Sequence, residues 1–377
     1  MTLRPALVGV LVVLLAACTT TTGEPADDPP SPRSAAGAPT TARPPVPQAQ
    51  ALPQDWERVP WVGGRRTTAP GAATELPSIL VDPRPARLVH HPTERWEDRD
   101  GWAGERLFFL GTDDRWRSLD LDDLGLPNGS WPGPDTYGAG SLSHDGRWWA
   151  GQAHAGVVLL DLRSGAVRYA ALPPGRVHVA HVRWIPGRDV VSASAARGGS
   201  SRYDTFHVDT TGRVTPARYP GWRTTFDVDG TPVEATGVGR DRLRFTRWQG
   251  AQGAHAEARI LTPGLELPRL MRRYVFPVLG PGEVALLAAA RSWPALAPVQ
   301  VWALDKRTGA ITARLRVPAT TDVVGWTEEG TLRLLLENRR LVEWHPRSGR
   351  VQRLLELPGP YPAPAEWAAA TVAFPAG

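Results

Sequence analysis

Cysteine and lysine are nearly absent from this chain of 377 residues, which has one of each, Cys18 and Lys306. A single cysteine excludes a disulfide framework within the chain and any cysteine-based metal site. Positive charge therefore rests on arginine. The net charge is only +5, acidic and basic residues interleave, and no Lys/Arg run of five occurs. That pattern lacks the continuous basic stripe of a nucleic-acid binder, so no nucleic-acid partner is expected. No Gly-x-Ser-x-Gly nucleophile motif is present. Gly237-Val238-Gly239-Arg240 lacks the third glycine and the following helix of a phosphate-cradling loop. Beyond the first residues, no apolar run approaches the ~20 residues needed to span a bilayer. Prolines and glycines, 38 of each, recur too often for long helices.

What is present begins with a charged start at Arg4, an apolar stretch from Ala6 to Leu15, and small residues up to Cys18. An apolar core of about 7–15 residues suits a secretory signal and is too short for a membrane span. The run Leu15-Ala16-Ala17-Cys18 resembles the lipobox of bacterial lipoproteins. That resemblance implies removal of residues 1–17 and lipidation of Cys18, which becomes the mature first residue. The protein would then sit on the extracytoplasmic face of the cell membrane, held by lipid alone. The residues also allow an ordinary cleaved signal followed by an unpaired cysteine.

From Thr19 to about Gln54 the chain is Thr, Pro, Ala and Ser with scattered charges and almost no large apolar residue. Nothing there offsets the entropy of ordering, so residues 18–54 are expected to form a disordered tether. Its prolines favour extended polyproline II at ~3.1 Å per residue, a reach of up to ~100 Å. Residues 55–73 then connect to a folded domain at 74–377.

That domain repeats itself. Val157–Val167 and Val301–Ile311 share one plan: an apolar strand, Asp-x-x-Ser/Thr-Gly, then a second strand. Leu341–Val351 is a third copy and Phe206–Val214 a fourth, shifted by one residue. Aspartate accepts hydrogen bonds from the turn backbone, and glycine supplies the positive φ that closes a tight hairpin. Weaker copies are Phe108–Asp114 and Ile260–Leu265. The turns then fall near Asp114, Gly165, Gly212, Gly264, Gly309 and Gly349, spaced by 40 to 52 residues. Each interval carries an earlier turn: Asp145-Gly146, Pro186-Gly187, Asp229-Gly230, Pro281-Gly282 and Glu329-Gly330. Two turns separating four short strands in about 40–50 residues is the plan of one propeller blade.

The Ser143-His144-Asp145-Gly146 turn resembles the Ser-Pro-Asp-Gly turn of bacterial β-propeller proteins of the WD-repeat and TolB-like kind, with histidine in place of proline. The likeness spans about residues 75–375, though no unit ends in Trp-Asp. It implies an all-β propeller and a binding role without naming a ligand. Six blades are expected, with seven as the alternative, and a pair of β-sandwiches remains open. The closing run Trp367–Phe374 is placed to add a strand to the first blade.

Candidate chemistry is sparse. His90 to Asp100 is the densest group of possible metal ligands, although its arginines and proline suit a solvated loop. His178 and His181 stand three apart in an apparent strand, on opposite faces. Asp227-Val228-Asp229-Gly230 imitates the start of a calcium loop but lacks its remaining ligands, which leaves a turn. Ser192 and Ser194 lie in a strand pattern without a local cue. No catalytic residue, metal or cofactor is assigned. Trp148, Trp149, Trp184, Trp302, Trp326 and Trp344 fall in or beside strands, where they suit packing between blades. Trp131, Trp222 and Trp293 neighbour proline or glycine and are candidate loop contacts for a sugar ring or a protein. The expected function is non-catalytic binding of an envelope protein or peptide. Envelope glycan binding, or an extracytoplasmic enzyme centred on the axial channel, stands as the alternative.

Overall fold

The computed structural model describes residues 47–71, 74–91, 106–126, 142–198, 203–238, 242–259, 278–288, 299–306, 308, 310–318, 321–337, 339–358 and 371–374. They form an all-β ring of six antiparallel sheets, a six-bladed β-propeller. Blade 1 holds β1 (Ala86–His91), β2 (Arg106–Gly111) and β3 (Trp116–Asp120). Blade 2 holds β4 (Trp148–Ala153), β5 (Gly156–Asp161) and β6 (Ala166–Ala171), with Leu142 bridging Trp149 beside β4. Blade 3 runs through β7 (Arg176–Trp184), β8 (Val190–Arg197), β9 (Tyr203–Asp209) and β10 (Val214–Pro216). Blade 4 comprises β11 (Thr224–Phe226), β12 (Pro232–Val238), β13 (Arg242–Gln249) and β14 (Gln252–Arg259). Blade 5 comprises β15 (Val278–Leu279), β16 (Glu283–Ala288), β17 (Val299–Asp305) and β18 (Ile311–Val317). Blade 6 comprises β19 (Thr321–Trp326), β20 (Leu332–Leu336), β21 (Arg340–His345) and β22 (Arg350–Glu356).

A last strand, β23 (Thr371–Ala373), returns to pair antiparallel with β1, matching Val89 with Ala373 and His91 with Thr371. Blade 1 is thus built from both ends of the propeller sequence, as the closing run suggested. Neighbouring sheets meet through their first strands, β11 against β15 and β15 against β19, which places those strands around the axis.

The repeat turns do what their residues dictate. Asp209 Oδ1 accepts from the Thr211 amide at 2.9 Å and the Arg213 amide at 3.0 Å, and Gly212 closes the hairpin at φ +88°. In blade 4 the hairpin of the described strands lies earlier than expected. The β13–β14 hairpin instead closes at Gly250, φ +63°, and Gly264 lies outside the described residues. The motif there was the weakest copy, without an aspartate, whereas Gly250 permits a two-residue turn between long paired strands.

Residues 47–71 and 74–82 strap the outside of the ring. Gln50 pairs in parallel with Leu315 of blade 5, Trp61 with Arg353 and Thr68 with Glu356 of blade 6, and Ser78 with Ser118 of blade 1. The bonds are backbone ones: Gln50 N to Arg314 O 2.9 Å, Arg353 N to Pro60 O 2.8 Å, and Ile79 N to Ser118 O 2.8 Å. Residues 47–54, expected within the tether, therefore lie on blade 5, because the outer strand edge offers them unpaired backbone groups. Arg117 pins the far end, donating to Asp82 at 2.7 Å and to Asp113 at 2.8 Å. Its hydrogen bonds hold the Asp113 carboxyl down at about 2.

Gly146 marks the tightest approach between blades. Its carbonyl accepts from the Ala86 amide at 2.8 Å, and a Cβ there would stand 2.0 Å from the Ala86 carbonyl oxygen. Gly187 has the same φ, +66°, but open space around it. Gly187→Ala is expected to cost ~1 kcal/mol from backbone strain alone, and Gly146→Ala more than ~3 kcal/mol. Urea unfolding of both variants measures the difference, and equal losses would contradict the close approach.

Candidate functional site

Each of the six blade junctions has its own apolar cluster, and their sizes differ. The junction of blades 5 and 6 buries Val301, Leu315, Leu334 and Trp344 among many others, and blades 1 and 2 enclose Phe109, Leu119, Trp149 and Leu160. Trp148, Trp149, Trp184, Trp302, Trp326 and Trp344 are all buried in these junctions or beside them. Among the described residues, blades 3 and 4 share only Ile185, Tyr219 and Phe226 as buried apolar side chains.

Strand alternation explains the exception. On β8 and β9, Val191, Ala193, Ala195, Phe206 and Val208 turn toward blade 2 and join its core. The intervening Ser192, Ser194, Thr205 and His207 occupy the opposite face, because successive side chains point to opposite sides of a strand. Register then lines up Arg183, Ser192, His207 and Thr215 across all four strands of blade 3. One junction of the ring is consequently a polar seam.

The connector from blade 3 to blade 4 lies on this face. The Tyr219 hydroxyl donates to Ser192 Oγ at 3.1 Å and sits 2.8 Å from His207 Nε2. Burial pushes the Tyr219 phenol up to about 12, against the opposing effects of Ser192 and Arg188. Burial, and then the charge of Arg188, lower the His207 imidazole. Both groups are therefore neutral near pH 7, and the hydroxyl–hydroxyl–imidazole chain can reverse its direction without losing a bond. Gly221 completes the contact. Its amide donates to Thr205 Oγ1 at 2.8 Å, and a Cβ there would lie 2.5 Å from Thr205 Cγ2.

At the outer end of the seam Val190, His207, Asp209, Arg213 and Thr215 line a cavity of about 260 Å³. The charges around it are mostly positive. Arg188 Nε lies against Gly230 in the facing turn of blade 4, and Arg168 reaches from blade 2 to the Thr210 carbonyl. Farther in, Arg183 donates to the Thr224 carbonyl at 3.3 Å, and desolvation lowers its pKa. Among the described residues no carboxylate forms an ion pair with Arg183, Arg188 or Arg213. The structure gathers these groups from positions 183 to 219, a combination with no motif in the sequence. The visible signal was the alternation of Ser192, Ser194, Thr205 and His207 with apolar residues.

Other candidates resolve differently. Trp222 is half-buried, with the Tyr203 ring 6.0 Å away and the Arg223 guanidinium 4.1 Å from its centroid. Cys18, Trp131 and Trp293 lie outside the described residues. Asp227-Val228-Asp229-Gly230 is the β11–β12 turn, and arginine and lysine occupy its carboxylates. Arg247 donates to Asp227 at 2.6 Å and to Asp229 at 3.2 Å, while Lys306, from blade 5, donates to Asp227. His181 adopts φ +54° at a bulge in β7 and is exposed, and the side chain of His178 is not described. Asp322 on β19 is open to solvent yet crowded by protein, and that lost hydration raises its carboxyl. Among the described residues no three His, Cys, Asp or Glu side chains gather to hold a metal, and no helix is long and apolar enough to cross a membrane.

His90 and His91 are buried in β1 rather than displayed on a loop. Burial lowers His91 to about 4. The unfolded chain binds this proton below about 6.5, and the native state does not until about 4. Stability is therefore expected to fall as pH drops from 6.5 to 4, by roughly 3 kcal/mol from this residue. His91→Phe should flatten that segment of a stability–pH profile measured by denaturant unfolding. An unchanged slope would contradict the assignment.

No family model matches the chain, and no curated protein sequence matches it. Among solved structures it is similar to a protein of unknown function from Bacteroides caccae, with 12% identity, 76% of this chain and 98% of the other covered, and a TM-score of 0.42. It is also similar to an oligogalacturonate lyase in complex with manganese, with 13% identity, coverage of 60% and 66%, and a TM-score of 0.35. Similarity to a eukaryotic initiation factor is 15% in identity over 71% of this chain, with a TM-score of 0.33, and the chain spans 62% of that protein's length.

Proposed function

We propose that this is an extracytoplasmic lipoprotein, carried on the membrane by lipid on Cys18, whose propeller binds an envelope protein or peptide without catalysing a reaction. The strap is the observation that supports this reading. The outer edges of blades 5, 6 and 1 already receive an extended, proline-containing segment in parallel register. Strand addition to a sheet edge is a general mode of peptide recognition, with backbone bonds giving affinity and alternate side chains giving selectivity. Among the described residues, β6 and β14 at the outer edges of blades 2 and 4 carry no such segment.

The strap also shortens the tether. Some 28 residues separate Cys18 from Pro47, so the propeller stands up to ~90 Å from the membrane if that stretch is extended. A rigid ring on such a spacer presents its edges and rims to other envelope components.

Cys18→Ser is expected to move the protein from the membrane fraction to the medium or to leave it unprocessed, read by fractionation and mass. Unchanged membrane retention refutes the anchor. In a pull-down from detergent-solubilised envelope, the full chain should recover a protein that residues 1–54 alone do not. Repeated failure to enrich any protein would count against the binding role.

A further inference from the structure

We infer that the seam between blades 3 and 4 is a binding site for a small oxyanion, a carboxylate or phosphate group seated in the cavity against His207, Arg213 and Thr215. The cavity, about 260 Å³, has room for a small acid or for the acidic end of a larger molecule.

Three observations converge. The first is an excess of positive charge among the described residues. Arg213 lines the cavity, Arg188 lies over Gly230 across the seam, and Arg168 is fixed to the Thr210 carbonyl in the same hairpin. The single carboxylate there, Asp209, has Oδ1 taken up by the Thr211 amide at 2.9 Å, the Thr211 hydroxyl at 2.6 Å and the Arg213 amide at 3.0 Å. It is held in its own turn and also feels the charge of Arg213, so one carboxylate faces three guanidinium groups. Guanidinium is the side chain best matched to planar or tetrahedral oxyanions, because its donors form a fixed fork.

The second observation is the state of His207. Its Nε2 is engaged by Tyr219 at 2.8 Å, and the ring lines the cavity, so Nδ1 is the nitrogen that Tyr219 does not hold. When Ser192 donates to Tyr219 and Tyr219 to Nε2, the proton of the neutral imidazole moves to Nδ1, which becomes a donor. An oxyanion selects that arrangement, and the buried chain supplies it without breaking a hydrogen bond.

The third is placement. Among the described residues the other five junctions hold larger apolar clusters, so this junction is the one best suited to a charged guest. Val190 adds an apolar wall, which suits an acid carrying a short carbon chain.

The test is titration calorimetry of the full chain with inorganic phosphate and, separately, acetate, at ionic strength matched with sodium chloride. Saturable binding on the order of millimolar is expected for at least one of them. Phosphate alone, acetate alone or both identifies the preferred chemistry. Arg213→Gln, an exposed position, should weaken binding at least fivefold, and Thr215→Val should weaken it twofold or more. The His207 ring signals in NMR should shift on titration. Absence of saturable binding to either anion overturns the inference, as does equal affinity in both variants. Neither result bears on capture of an envelope protein at the blade edges, so the two proposals fail separately.

Discussion

A twisted sheet with two apolar faces is not stable alone, and most sheets of this chain have two. β4 and β5 are buried along their whole length on both sides, so each such blade needs a neighbour on each face. A row of such sheets would leave two faces bare at its ends. Bending the row into a ring removes both ends at once, and burial of apolar surface at ~25 cal/mol per Å² drives the closure. Closure in turn places a demand on the backbone, because the first and last blades meet without a covalent link. Pairing of β23 with β1 meets that demand with strand hydrogen bonds, and the Leu88, Leu110, Leu335, Leu341 and Leu355 cluster fills the junction behind it.

Closing the faces leaves the edges. Each blade ends outward in a strand with unpaired amides and carbonyls, a template for unwanted pairing. The strap covers three of these edges in succession, on either side of the closing junction. Its side-chain bonds are consistent with that role: Arg353 donates to the Val59 carbonyl at 2.9 Å and lies over the Trp61 ring at 4.4 Å, and Trp344 Nε1 donates to Gln50 at 3.2 Å. Strap and closing strand thus reinforce one region of the ring, while blades 3 and 4 receive neither.

Much of this architecture was legible because hairpins are local. The Asp-x-x-Ser/Thr-Gly turns, the paired Asp-Gly and Pro-Gly turns, and the buried tryptophans are properties of consecutive residues, and they gave six blades and the returning strand. The β13–β14 turn at Gly250 was not legible because it lacks the aspartate used as a guide, and Gly264 lies outside the described residues. The strap was illegible for a different reason. Residues 47–54 have Leu52 as their one large apolar residue and read as disorder by composition, and 55–71 read only as a connecting segment. Their order comes from edges donated by strands nearly 300 positions away, a non-local effect that composition does not register. The seam is intermediate: its alternation is written in β8 and β9, but Tyr219 joins it through a connector whose path is set by packing.

The location of the polar seam follows from how the ring is secured. A junction with few apolar contacts gives up stabilisation, so it is tolerated where neighbours compensate and is least tolerable where the ring closes. Blades 6 and 1 carry the closure and therefore combine a full apolar cluster with the strap. On the far side, the cost is offset by specific polar contacts: Tyr219 with Ser192 and His207, Gly221 with Thr205, and Arg183 with Thr224. Just beyond, Lys306 and Arg247 converge on the buried Asp227 and tie blade 4 firmly to blade 5. The polar junction is bordered on one side by an apolar cluster and on the other by an ionic clasp. Separation of blades 3 and 4 is thereby resisted by the whole ring and not by the seam alone, which frees the side chains inside it to meet a ligand.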